Sequence, residues 1–169
     1  PKTDAQYSYN FIDLFAGAGG LSEGFLQAEF KPVAHVEMNE FAAKTLETRS
    51  AYYYLKGVDN LGLYKKYVSG KISRDDFMEQ IPASIKKTII NETMSDETLP
   101  AIFNTIDGIM KIRGISKIDV IVGGPPCQAY SLVGRAQSSH MEVPMADDPR
   151  NYLYKLYARF LKRYQPRMF

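Results

Sequence analysis

Apolar positions cluster in short blocks along the chain. Residues 10–15 (NFIDLF) form a brief apolar run that ends in glycines, the pattern of a buried parallel strand entering a tight turn. A short helix is predicted next, with Ser22 near its start and Leu21, Phe25 and Ala28 on one face. Residues 32–37 (PVAHVE) predict a second strand, and 41–54 a helix with Phe41, Leu46 and the tyrosines available for burial. Strand, helix, strand, helix is the opening of a doubly wound α/β sheet.

The pattern then changes. Residues 55–114 are polar, lysine-rich and punctuated by Gly57, Gly62, Gly70, Pro82 and Pro100, and they read as a helical insertion on the sheet. Within them Ser73 and Asp76 predict a capping pair for a helix through Gln80. Leu99, Ile102, Phe103, Ile106, Ile109 and Met110 form an amphipathic stripe after Ser95. A third strand is expected near residues 88–92, although Ile85, Ile89 and Ile90 fit a helix equally well. Residues 118–122 (IDVIV) are the strongest strand in the chain, and 134–148 read as a polar loop. A helix is predicted over 151–164, burying Leu153, Leu156, Tyr157, Phe160 and Leu161 and stopped by Pro166. Arg167, Met168 and Phe169 then lead toward another strand.

Composition narrows the picture modestly. The 169 residues are 45% hydrophobic and 24% charged, ordinary for one globular domain. No apolar run approaches the roughly 20 residues that span a bilayer, so no membrane association is expected. Cys127 is the single cysteine, which excludes an intrachain disulfide and suits a reducing cytoplasm. With only His35 and His140 beside it, no metal site is expected. A net charge of +2 does not announce a nucleic-acid binder, so any such case rests on the site.

Two loops carry candidate chemistry. FAGAGG (15–20) lies between a strand and a helix, where glycines allow a sharp turn and close approach to a ligand. A dinucleotide fingerprint would place a third glycine where Ser22 stands. A smaller anion, such as an amino-acid carboxylate, therefore suits the loop better than a pyrophosphate, and a merely packed turn is the alternative. Glu37, ending the second strand, can accept both ribose hydroxyls of a nucleoside, and Met38 can cover an adenine face. The bland alternative is a solvated strand-end acid and a core methionine. GGPPCQ (123–128) follows the IDVIV strand, so Cys127 is expected to face the same crevice as the glycine loop. The two prolines limit the loop's freedom, which favours a nucleophile over a small buried hydrophobe.

These residues resemble the signature motifs of the DNA cytosine-C5 methyltransferases: DLFAGAGGLSEGF (13–25), VEMN (36–39) and DVIVGGPPCQAYS (119–131), in that order. DPRNYLYKLYARFLKRYQPRMF (148–169) resembles the segment leading to the family's Glu-Asn-Val motif. The resemblance covers both ends of the chain and not the 55–114 insertion. It implies a Rossmann-like sheet of the S-adenosylmethionine-dependent methyltransferase type. It implies that Cys127 attacks C6 of a cytosine flipped out of duplex DNA, and that S-adenosyl-L-methionine supplies the methyl group to C5. Phe15, Gly17, Ala18, Gly20, Glu37, Met38, Gly124, Pro126 and Leu153 would contact that cofactor. Gln128 and Ser131 would lie near the flipped nucleotide. Arg135 either reaches a phosphate or is an ordinary solvated arginine, and His140 reads as a loop histidine. The family's acid after the third strand, which meets the adenine amino group, has three candidates: Asn91, Glu92 and Asp107.

The resemblance also implies a bacterial, cytoplasmic enzyme of a restriction-modification system, with a companion restriction endonuclease as a further expected partner. The Glu-Asn-Val acid, the target-recognition region and the C-terminal part of the catalytic domain do not occur in these residues, so residues 1–169 alone are expected not to methylate DNA. The edge of the IDVIV strand is expected to be covered, by another copy, by a second polypeptide or by further residues. A tRNA-modifying relative, a non-catalytic nucleoside-binding module and a nicotinamide dehydrogenase are the rival readings.

Overall fold

The computed structural model describes residues 8–125 and 152–169. Four parallel strands form one sheet in the order β3-β2-β1-β4: β1 Asn10–Leu14, β2 Lys31–Glu37, β3 Ile89–Asn91 and β4 Val120–Gly123. Helices cover both faces, as parallel strands require. The sequence order reverses between β1 and β4. That makes the carboxyl ends of these two strands the switch-point crevice of the doubly wound fold.

β1 is buried along its whole length, because its two faces meet different helices. Phe11 stacks on Phe25 of α1 (Gly20–Gln27), and Asp13 accepts a hydrogen bond from Ser22 on the same helix. Ile12 and Leu14 face the opposite way. They join a core with Leu99, Ile102, Ile106 and Ile109 of α6 (Leu99–Arg113) and Leu156 and Phe160 of α7 (Leu153–Tyr164). The stripe predicted from Leu99 to Met110 is therefore the inner face of α6.

Two expectations about helix faces need correction. In α1 the inward position is Ser22, while Leu21 and Ala28 are exposed. The reason is Asp13: a buried carboxyl needs a donor, and Ser22 provides it one turn into the helix. In α2 (Glu40–Gly57) the buried face is Ala43, Leu46, Ala51 and Leu55, and Phe41 is 76% exposed. Phe41 sits in the first turn, level with the strand ends, and has no ring stacking partner among the described residues.

The stretch expected as an insertion, 55–114, divides in three. Residues 61–86 stand off the sheet as α3 (Leu61–Val68), α4 (Arg74–Glu79) and α5 (Ala83–Lys86). They share a small core of Leu63, Phe77 and Ile81 with Ala51 and Leu55 of α2, and Tyr67 stacks on Phe77 with ring centroids 4.5 Å apart. Ser73 and Asp76 form the predicted capping box at the start of α4. The remainder, β3 and α6, belongs to the main layers. Ile85 lies in the short helix while Ile89 and Ile90 lie in the strand, which resolves the ambiguity of that run.

The outer edge of β4 meets the chain's own end. Met168 bridges Val120 in parallel, the Ile121 N–H donates to the Met168 carbonyl at 3.1 Å, and the Arg167 N–H donates to the Asp119 carbonyl at 2.8 Å. No helix among the described residues is long and apolar enough to cross a membrane.

Candidate cofactor crevice

Three residues with left-handed backbone turn the chain from β1 into α1: Phe15 at φ 56°, Gly17 at 55° and Gly19 at 85°. For Phe15 this conformation costs on the order of 1–3 kcal/mol, which the surrounding structure must sustain. A Cβ placed at Gly17 or Gly20 would meet nothing within 4 Å among the described residues, so the loop borders open space there. Gly19 faces the other way, against Leu46 and Arg49 of α2.

Glu37 joins this loop to the end of β2. One carboxylate oxygen accepts the Gly17 N–H at 2.7 Å and the other accepts the Asn39 N–H at 2.7 Å. Only 9% of Glu37 is exposed. Asn39 in turn caps α2, its side chain accepting the Ala42 N–H at 3.0 Å. From β3, the Asn91 side-chain amide donates to the carbonyls of Glu37 at 2.8 Å and Met38 at 3.1 Å. The corner 37–39 is thus held by the glycine loop, by its own helix cap and by the neighbouring strand. Met38 is 68% exposed, which excludes a core methionine.

Asp13 lies beneath the glycine loop with 1% of its surface exposed. Ser22 Oγ donates to Oδ2, and Oδ1 has no partner among the described residues. Burial pushes the carboxyl up to about 6. The Ser22 bond pulls against this, and the Glu37 carboxylate adds to it. Beside it, burial and then the Asp13 charge raise the Tyr157 hydroxyl, which donates to the Ile121 carbonyl at 3.1 Å. His35 is the register partner of Asp13 on β2 and is also buried. Burial lowers it to about 4 against a bond to the Thr88 backbone, and its Nδ1 is unpartnered among the described residues.

β4 brings the second loop alongside. Leu14 pairs with Gly123, so Phe15 and Gly124 leave adjacent strands at the same level. Of the residues picked out from sequence, Phe15, Gly17, Ala18, Gly20, Glu37, Met38 and Gly124 thus gather at this end of the sheet. Leu153 opens α7 and packs against the core that Phe15 also borders. Cys127, Pro126, Gln128, Ser131, Arg135 and His140 lie outside the described residues. Asp107 is on α6, where it accepts from Arg163 and from the Tyr164 hydroxyl, well removed from the β3 end. Asn91 and Glu92 are the candidates that stand at the crevice.

Asp13, Ser22 and Asn39 were not singled out as site residues from sequence. An acid inside an otherwise apolar strand was the available signal for Asp13, and Ser22 at the third fingerprint position was the signal for its partner.

Fold and crevice define a doubly wound α/β protein with a glycine-loop crevice at the switch point of its parallel sheet. The chain matches the model of the C-5 cytosine-specific DNA methylases over residues 9–72 and 81–169, and it belongs to that family. It is 36% identical over 175 residues to the type II methyltransferase M.Bpa9945I of Bacillus paralicheniformis, covering 94% of this chain and 39% of that protein. It is 29% identical to the type II methyltransferase M1.HphI of Haemophilus parahaemolyticus, covering 96% of this chain and 31% of that protein. A third relative, the type II methyltransferase M.DdeI of Desulfomicrobium norvegicum, is 28% identical over 95% of this chain and 26% of its own length. The chain therefore spans well under half the length of these relatives.

Proposed function

We propose that the protein carrying this chain methylates C5 of cytosine in duplex DNA, using S-adenosyl-L-methionine as donor. The observation that carries this reading is the Glu37 carboxylate, fixed to the Gly17 amide that follows β1, the strand lying between β2 and the β4 strand that leads toward Cys127. The crevice residues fit the cofactor. Among the described residues nothing fills the space beside Gly17 and Gly20, which suits its amino-acid part, and the buried Asp13 Oδ1 has no donor. Glu37 retains acceptor capacity for ribose hydroxyls. Both amide hydrogens of Asn91 are engaged by backbone carbonyls, so Oδ1 is the atom left to accept an adenine amino group.

The bound cofactor supplies an electrophilic methyl group on a sulfonium. This chain's contribution to the chemistry is Cys127. Its thiolate adds to C6 of a cytosine extruded from the duplex, which places negative charge on C5. After C5 is methylated, loss of the C5 proton expels the thiolate and restores the ring. Pro126 and Gly124 would border the cofactor, Gln128 and Ser131 the flipped nucleotide, and Arg135 a phosphate. A cytoplasmic restriction-modification role with a companion endonuclease accords with the names of the relatives.

The test uses the complete protein with S-adenosyl-L-methionine and duplex DNA carrying 5-fluorocytosine, whose C5 fluorine cannot leave as a proton does once C5 is methylated. A denaturant-resistant protein–DNA adduct is expected, and none with Cys127→Ser. No adduct with the native protein, or one that survives C127S, overturns the reading. Methyl incorporation into tRNA but not duplex DNA would move the substrate to RNA.

A further inference from the structure

The residues discussed so far gather where the strands end. The other end of the sheet holds a hollow of about 660 Å³, bounded by α1, α2, α5 and the last turn of α6. β2 separates the two sites: Lys31 and Pro32 line the hollow, and Glu37 lies six residues on, about 20 Å away along an extended strand. The volume is that of a small-molecule site rather than of a packing defect.

Its walls are mostly apolar and aromatic, and include Phe30, Tyr53, Tyr54, Val58 and Ile85. Among the described residues two cations line it, Lys31 and Arg113, and no Asp or Glu does. Arg113 is fixed there. It donates through Nη1 to the Pro32 carbonyl at 2.8 Å and through Nη2 to the Ser84 carbonyl at 3.3 Å. A guanidinium has five N–H donors, so these two bonds orient it and leave others for a ligand. Lys31 has no ion-pair partner among the described residues. An apolar hollow lined by an oriented guanidinium and a second cation, with no carboxylate among the described residues that line it, is complementary to one kind of molecule.

We propose that this hollow is a second binding site, separate from the cofactor crevice, for a small molecule with an aromatic body and a single carboxylate. The body rests against Phe30, Tyr54, Val58 and Ile85, and the carboxylate meets Arg113 and Lys31. Four elements border the space, and its size favours a compact ligand over an extended peptide.

The test is calorimetric titration of the complete protein with 2-naphthoate and with its neutral amide, 2-naphthamide. The carboxylate is expected to bind saturably and at least about tenfold tighter than the amide, the difference that one charge-assisted bond makes. Lys31→Gln should narrow that preference. Ser50→Phe, which fills the hollow from α2, should abolish binding of both while leaving S-adenosylhomocysteine affinity unchanged. Absence of saturable naphthoate binding, equal binding of the amide, or undiminished binding by S50F overturns the proposal. So does displacement of naphthoate by S-adenosylhomocysteine, which would put the probe in the other site.

Discussion

Gly123 runs so close to Leu14 that a Cβ at Gly123 would lie 2.1 Å from the Leu14 carbonyl oxygen. Its φ of 150° is also one that side chains rarely adopt. Both facts arise where β4 leaves β1 and the cysteine loop begins. The substitution Gly123→Ala must therefore push the two strands apart or strain the backbone. We expect a loss of at least about 2 kcal/mol of stability in urea unfolding of the complete protein. Gly124→Ala, with nothing among the described residues within 4 Å of its Cβ, should change stability by less than about 0.5 kcal/mol. Equal unfolding midpoints for the two variants would contradict the close approach.

Glu37 accepts amide hydrogens from both sides of the crevice. Replacing it by Gln turns one acceptor into a donor that faces an N–H. Affinity for S-adenosylhomocysteine, measured by calorimetry, is expected to fall about 10- to 100-fold, as for the loss of a charge-assisted bond. Unchanged affinity would remove Glu37 from the cofactor site.

Asn91 holds the backbone of Glu37 and Met38 through donors that aspartate lacks. Asn91→Ala should weaken S-adenosylhomocysteine binding about tenfold. Asn91→Asp should weaken it further, because a carboxylate would face two carbonyl oxygens. An N91D variant that binds as well as the native protein would show that the amide's donors are dispensable.

Asp13 and His35 make opposite contributions to stability in mildly acid solution. Asp13 titrates at about 6 when folded against 3.8 ordinarily, so its contribution is complete below 3.8 and is lost as pH rises through 6. His35 titrates at about 4 against 6.5, so its contribution is complete above 6.5 and is lost as pH falls through 4. Each amounts to roughly 3 kcal/mol, so they nearly offset. Difference curves against the native protein between pH 4 and 6.5 should separate them. Relative to native, Asp13→Asn should lose stability as pH falls, and His35→Phe should gain it. Parallel curves for all three proteins would show that these buried groups do not titrate as their surroundings dictate.

Periodicity in the chain was enough to place β1, β2, β4, α6 and α7, because burial on both faces leaves continuous apolar runs and burial on one face leaves a helical stripe. Residue types at the turn and strand end also singled out the glycine loop and Glu37 with Met38, because turns and strand ends need residues that regular structure avoids; the Cys127 loop lies outside the described residues. The run 85–90 was ambiguous, since three isoleucines at that spacing suit either periodicity, and pairing of His35–Glu37 with Ile89–Asn91 decided it. Outward exposure of Phe41 and inward placement of Ser22 were likewise decided in three dimensions. Which face of a short helix turns inward depends on what lies beneath it, and beneath α1 that is a buried carboxyl. The joining of Gly17 to Glu37, 20 residues apart, depends on strand order, and strand order is fixed by pairing between distant segments rather than by any local pattern.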